Sequence, residues 1–347
     1  MPKSDHSKKG KLEGQTLPGE SITLDVVARI AGVSAITVSR AINKPDKVAP
    51  ATLEKVQRAI TQTGYVPNLL AGGLASRSSK LIAAIVPSIA NLVYSSTIRL
   101  FSNCFRQAGY QVILGDSGYP EILEEELVQT ILSRRPDGIL LTGVDHSPSC
   151  RNLLLAANIP IVETWDLTPS PLDIVIGFDH IDIGHEVGKF ILKKGFKKVG
   201  FVTANDSRAL LRQRSTLEIL GQAGITSIYP TTVPAPTSME LGRVGAKQIL
   251  EEGFDRGVIF CTSDTLAQGV LAEIQSRKIS IPDEIAVIGF GDQIFAAHTY
   301  PALTTVRIDR ERIGQEAADA LLARLQGRSI KNRIIDIGFS IVEREST

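Results

Sequence analysis

Apolar positions recur along this chain in two rhythms. Between residues 21 and 66 they come at three- and four-residue spacing in short blocks; beyond residue 80 they come as short unbroken runs alternating with amphipathic stretches. In the first part, "TLDVVARIAG" places Thr23 as an N-cap, Leu24, Val27, Ala28 and Ile30 at helical spacing, and Gly32 as the stop. "VSAITVSRAIN" restarts with Ser34 as N-cap. "PATLEKVQRAITQTG" then has Pro50 in a first turn, Leu53, Val56, Ala59 and Ile60 in step, and Gly64 at the end. Three short helices are predicted, enough for a minimal all-α bundle.

The second rhythm shows the runs "LIAAIVP", "YQVILGD", "DGILLTG", "IPIVE", "KVGFVTA", "GVIFCTS" and "EIAVIGF", with helical spacings such as "EILEEELVQTILSRR" and "LAQGVLAEIQSR" between them. Short apolar strands alternating with helices predict parallel sheets covered on both faces, and a final strand is expected in "NRIIDIGFSIVE". So long a stretch exceeds one such core. Two Rossmann-like α/β lobes are expected, with ligand space where the strand C-terminal ends face each other.

Composition narrows the class. The chain has 347 residues, 43% of them hydrophobic, as an ordinary globular protein does. No stretch reaches about 18 uncharged apolar residues, and the polar N-terminus has no apolar signal region, so a cytoplasmic protein without membrane contact is expected. Cys104, Cys150 and Cys261 are far apart with no Cys-x-x-Cys. They read as structural thiols; neither a metal nor a cofactor is expected.

Charge is uneven. Residues 1–80 carry twelve Lys and Arg against six Asp and Glu, and the remainder twenty-six against thirty-one, so the formal net charge of +1 hides a basic head on a mildly acidic body. The head is expected to meet nucleic acid, although Lys3, Lys8, Lys9 and Lys11 supply part of the excess from a polar arm.

Two helices joined by a tight glycine-containing turn match the helix-turn-helix arrangement, whose second helix lies in the DNA major groove. On that helix Ala35, Ile36, Ser39 and Arg40 share one face, while Val38, Ala41 and Ile42 turn to the bundle. Arg40 has the reach to bond two acceptors of one guanine, and Ala35 and Ile36 offer apolar contact to thymine methyls. From spacing alone, a three-helix cap with a surface arginine fits equally well.

"TLDVVARIAGVSAITVSRAINKPDKVAPATLEKVQRAITQTGYVPN" resembles the headpiece of the lactose-repressor (LacI) family of bacterial transcription regulators almost position by position. "LIAAIVPS", "DGILLTG", "IPIVE", "GFDH", "FCTSDTLAQGVL", "IPDEIAVIGFGD" and "PALTTV" match, in order, the family's two-lobed, periplasmic-binding-protein-like core. The resemblance runs from Ser21 to the C-terminus. It implies DNA contacts from Ser34, Ala35, Ile36, Ser39, Arg40 and Asn43, a hinge helix beginning at Asn68, and Leu74 as an apolar wedge that bends the DNA at the operator centre. Gly72 and Gly73 fall inside that hinge, each costing about 0.8–1 kcal/mol relative to alanine in a helix, so the segment is expected to order only on the operator. The organisation expected is an arm (1–20), headpiece (21–66), hinge (67–79) and core (80–347). The core divides into an N-lobe (80–178, 305–335) and a C-lobe (179–304, 336–345).

By position, the resemblance implies a small-molecule effector held by Ser88, Asn91, Tyr94, Tyr119, His146, Glu163, Trp165, Arg212, Ser263, Asp264 and Asp292. Arg212 is suited to clamp ligand oxygens in pairs. The family's Arg-x-x-Gly-aromatic pattern reads Arg212-Gln213-Arg214-Ser215-Thr216 here. Three residues have a second reading: Asp264 as a helix cap, His146 as a surface-loop histidine, and Trp165 as a plug between lobes. Sugar-binding relatives carry "GFDD" where this chain has "GFGD", with Gly291 in place of a carboxylate. Fewer carboxylates beside Arg208, Arg212 and Arg214 favour an anionic ligand. The look of "SPLDIVIGFDH" and "PSIANLVY" is nearest the gluconate-repressor branch, and a sugar acid such as gluconate or a ketogluconate is the expected effector.

No Gly-x-Ser-x-Gly, P-loop, Gly-x-Gly-x-x-Gly after a strand or metal-spaced histidine cluster occurs, so an enzyme is not expected. A stand-alone sugar-binding protein of the transport type would share the core but lack the headpiece. Two headpieces on a double-stranded, pseudo-palindromic operator require a homodimer. Only "REST" follows the last strand candidate, so a dimer is expected in preference to a tetramer.

Overall fold

Three helices bury one small core within residues 22–66, and a second compact unit occupies residues 78–347; these are the residues that the computed structural model describes. In the first unit, α1 (Leu24–Ala31), α2 (Ala35–Asn43) and α3 (Pro50–Thr63) form where the periodicity put them. Gly32 ends α1 at φ +67°, a left-handed turn that a Cβ disfavours. Ser34 caps α2, its Oγ accepting from the Thr37 N–H at 3.3 Å, whereas Thr23 makes no side-chain cap bond to α1. Val27, Val38 and Val56 close the core with Ala41 and Ala59, each buried valine contributing on the order of 1.5–3 kcal/mol.

In the second unit, β1 (Leu81–Val86), β2 (Gln111–Asp116), β3 (Gly138–Thr142), β4 (Ile161–Thr164), β5 (Ile174–Gly177) and β11 (Ile334–Asp336) make a parallel sheet ordered β11-β5-β4-β3-β1-β2. Alternation along β1 shows why it is buried on both sides. Ile82 and Ala84 pack on α4 (Ser95–Gln107) and α11 (Arg310–Leu325), and Ala83 and Ile85 on α5 (Glu121–Ser133) and α6 (Pro148–Ala156). The second sheet joins β6 (Lys198–Ala204), β7 (Ser227–Val233), β8 (Gly257–Cys261), β9 (Ile285–Gly291), β10 (Thr304–Arg307) and β12 (Ser340–Val342), ordered β12-β10-β9-β8-β6-β7. It is parallel except where β12 runs antiparallel to β10. α7 (His180–Lys193), α8 (Ser207–Gln222), α9 (Met239–Glu251) and α10 (Asp264–Ser276) accompany it.

Two sequence expectations need correction. The single strand expected in "NRIIDIGFSIVE" is two, β11 and β12, belonging to different sheets, because the chain passes between the lobes at Ile337–Phe339. β10 pairs with β9 in the second lobe, so the return to the first lobe follows Arg307 and not residue 305. The chain therefore crosses between lobes three times, after β5, after β10 and after β11. The crossings lie together: the Ile337 N–H donates to the Gly177 carbonyl at 2.9 Å, and Phe178 and Ile308 share one buried cluster against which Ile337 and Phe339 pack. Among the described residues no helix is long and apolar enough to cross a membrane.

Candidate functional site

α2 buries Val38 and Ala41 and leaves Arg40 and Ile36 outside, Ile36 being 71% exposed. Ala35 and Ser39 are half-buried, and Ala35 packs partly on the headpiece core, so the outward stripe centres on Ile36 and Arg40. Asn43 turns back along the helix and donates its side-chain amide to the Ser39 carbonyl at 2.9 Å, bracing the last turn. Asn68 and Leu74, with Gly72 and Gly73, lie outside the described residues.

In the larger unit, the segments following β1, β2, β3 and β6 enclose a cavity of about 470 Å³ between the lobes. α8 sets its inner wall. Asp206 caps that helix by accepting from the Ala209 N–H at 2.9 Å, and one-turn spacing puts Arg208 and Arg212 on the same face. Arg208 donates to the Tyr94 hydroxyl at 3.0 Å, and the Ser207 hydroxyl donates to Asp145 at 2.9 Å, so two hydrogen bonds bridge the lobes beside the cavity.

Below Arg208 lies a narrower space lined by Tyr94, Trp165, His180, Arg212, Ser263 and Phe290, among others. Arg212 is held rigidly there. Its Nη1 donates to His180 Nδ1 at 2.9 Å, its Nη2 donates to the Thr262 carbonyl at 3.0 Å, and its guanidinium stacks on Phe290 at 3.9 Å. His180 also donates through Nε2 to the Trp165 carbonyl at 3.0 Å. Burial and the Arg212 charge keep its pKa well below the ordinary value, so it is neutral with the proton on Nε2. Burial pushes Arg212 down to about 10, Asp206 opposing and Arg208 adding to the fall, which leaves the guanidinium charged at neutral pH. Its Nε and the Trp165 Nε1 are buried with no hydrogen-bond partner among the described residues. Burial also raises Tyr119 to about 12, keeping it a neutral phenol.

Residues 23–68 match the model of "Bacterial regulatory proteins, lacI family", and residues 189–347 match the periplasmic binding protein-like domain. The chain is 37% identical over 328 residues to the "HTH-type transcriptional regulator GntR" of Pseudomonas aeruginosa, covering 94% of this chain and 95% of that one. It belongs to the lacI family. Within that family it stands with the regulators named GntR. It is a DNA-binding transcriptional regulator that responds to an effector, not an enzyme. A LacI-family regulator from Silicibacter pomeroyi has the same fold, with a TM-score of 0.88 at 30% identity over 94% of this chain and 99% of that one. The lac repressor dimer bound to operator and the anti-inducer ONPF has a TM-score of 0.77 at 26% identity, covering 94% and 99%.

Of the effector residues that the LacI resemblance implied, Tyr119 and His146 line the larger cavity, and Asn91, Tyr94, Trp165, Arg212 and Ser263 line the narrower space, as Tyr119 also does. Four do not line either. Ser88 is buried and its Oγ accepts from the Ala90 N–H at 3.2 Å, shaping a turn. Glu163 is wholly buried and accepts from the Leu172 N–H at 2.6 Å. Asp264 neither caps nor faces the cleft: Ser263 caps α10, while Asp264 ties the Gln293 N–H (2.6 Å) and the Thr305 hydroxyl (2.5 Å) together. Asp292 is taken up by Arg307 and Arg344, at 2.6 and 2.7 Å. His146 is no surface histidine, its side chain being 1% exposed. Gly291 has φ +123°, and a Cβ there would meet Val93 Cγ2 at 3.2 Å, so the backbone itself calls for glycine in "GFGD". Arg208, expected only as a neighbour, bridges the lobes together with Ser207; the Asp206 cap and the Arg208/Arg212 spacing were its signal.

Proposed function

We propose that this regulator is a homodimeric cytoplasmic repressor of sugar-acid uptake or catabolism genes, released from a pseudo-palindromic operator when a sugar acid of the gluconate or ketogluconate type enters the cleft. The reading rests on the convergence of donors at depth: the Arg208 and Arg212 guanidiniums and the buried Trp165 Nε1, with no acceptor for Arg212 Nε or Trp165 Nε1 among the described residues. A carboxylate satisfies such donors, whereas a hydroxyl satisfies them only in part. Glu121, Glu124, Asp145 and Asp206 line the wider cavity, where carboxylates accept from a polyol chain. A ligand with an anionic head and several hydroxyls fits both ends. On α2, Ser34, Ala35, Ile36, Ser39, Arg40 and Asn43 form the operator contact, with Asn68 and Leu74 completing it from the hinge.

Calorimetry with gluconate, a ketogluconate, glucose and a purine base tests the ligand, read beside an operator gel shift. The expected result is saturable binding of a sugar acid that also releases operator. Arg208→Met should weaken that binding at least about a hundredfold, since a hydrogen-bonded charge pair is lost. Binding of glucose or the base, with none of the acids, overturns the assignment.

A further inference from the structure

We propose that Glu124, His146 and Cys150 form a binding site for a divalent transition metal of the zinc class on the N-lobe side of the cleft, with Glu163 as the positioning residue for the histidine. The three come from separate segments. Glu124 lies on α5, His146 follows β3, and Cys150 lies in the first turn of α6, whose cap is Ser147. Their donor atoms all fall within 4.8 Å of one another. The Glu124 Oε2 is the common point, 2.9 Å from His146 Nδ1 and 3.9 Å from Cys150 Sγ. Tetrahedral zinc with bonds of about 2.0–2.3 Å spaces such ligands about 3.3–3.6 Å apart, so shifts of well under a side-chain length bring all three onto one ion.

An independent feature points the same way. His146 Nε2 and Glu163 Oε1 are buried, make no hydrogen bond, and face each other at 3.6 Å, with Arg151 Nη1 3.9 Å from the same Glu163 oxygen. Glu163 is wholly buried, and its other oxygen is fixed by the Leu172 N–H. A metal-bound histidine commonly donates its second ring N–H to a carboxylate, which sets its tautomer and orientation. Here Nδ1 faces the ligand cluster and Nε2 faces Glu163. A metal on Nδ1 takes the place of the proton now given to Glu124, leaving Nε2–H for Glu163; coordination by Cys150 likewise displaces the thiol proton to solvent. Glu124 and His146 also line the larger cavity, so the remaining coordination position opens to the cleft, as three-ligand zinc sites keep theirs.

The test uses the full-length protein, stripped with a chelator and titrated with cobalt(II) and then zinc(II). Expected is one cobalt per chain with a thiolate-to-cobalt charge-transfer band, which zinc displaces. Cys150→Ser should remove the band and His146→Gln should weaken cobalt binding at least a hundredfold, each with the melting transition checked to show a folded chain. Glu163→Gln should keep the band but raise the dissociation constant about 10–100-fold, and Cys104→Ser should change nothing. A missing band in the wild type, a band that survives Cys150→Ser, or unchanged affinity in both His146→Gln and Glu163→Gln overturns the site.

Discussion

Burial pushes the Asp166 carboxyl up to about 6; the Leu167 N–H at 2.8 Å and the charges of Arg208 and Arg212 hold back part of the rise, and Asp145 adds to it. Its titration therefore falls near neutrality, while a sugar acid stays ionised. The sign follows. Below about pH 6 Asp166 is protonated and no longer competes for Arg208, so an anionic effector should bind more tightly as pH falls from 7.5 to 5.5, by up to about tenfold. Asp166→Asn should flatten that slope at the tighter level in calorimetry; an equal slope in both proteins would refute the link. In the headpiece, Arg40→Ala should cost about 1–3 kcal/mol at one base pair and relax selectivity there, as a gel shift against single-base operator variants reads directly. At this scale the sequence was legible where one residue acts through its own chemistry. Arg212 and Trp165, which the resemblance implied, line the narrower space, whereas the contacts of Asp264 and Asp292 with Thr305, Arg307 and Arg344 were not legible, because those residues are brought near only by folding.

Elements were more legible than residues. The seven apolar runs are strands, and in six of them burial on both faces leaves a continuous hydrophobic trace; the seventh, β2, is an edge strand with Ile113 and Leu114 exposed. β7 escaped notice because it is a half-exposed edge strand carrying Pro230, where neither trace nor alternation survives. α8, which carries both arginines, is placed by its contact with α7. A Cβ on Gly184 would stand 2.5 Å from the Arg212 carbonyl oxygen and 2.6 Å from the Ser215 Cβ, so the two helices meet with no room for a side chain. The Ser215 that departs from the family's glycine is thus met by a glycine on the facing helix. Gly184→Ala should destabilise the core by about 1–3 kcal/mol and move α8 enough to weaken effector binding. Denaturant unfolding and calorimetry on the same variant check both; loss of neither would show that the contact is slack.

For the whole molecule, two-fold operator geometry calls for paired headpieces, and light scattering should give twice the 37.4 kDa chain mass at all working concentrations. A single-chain or four-chain mass would contradict the dimer. Two lobes were foreseeable from the length of the α/β region, and a chain interleaved between them was expected from the resemblance; the points of crossing were not legible, because β10, β11 and β12 are three or four residues long and their sheet is decided by pairing. The three adjacent crossings at Phe178, Ile308 and Ile337–Phe339 carry one further consequence. Three cords bundled at one place remove sliding and separation from the permitted motions and leave rotation about the bundle. What a ligand in the cleft can report is then an angle, and whatever responds to it must be fastened to both lobes.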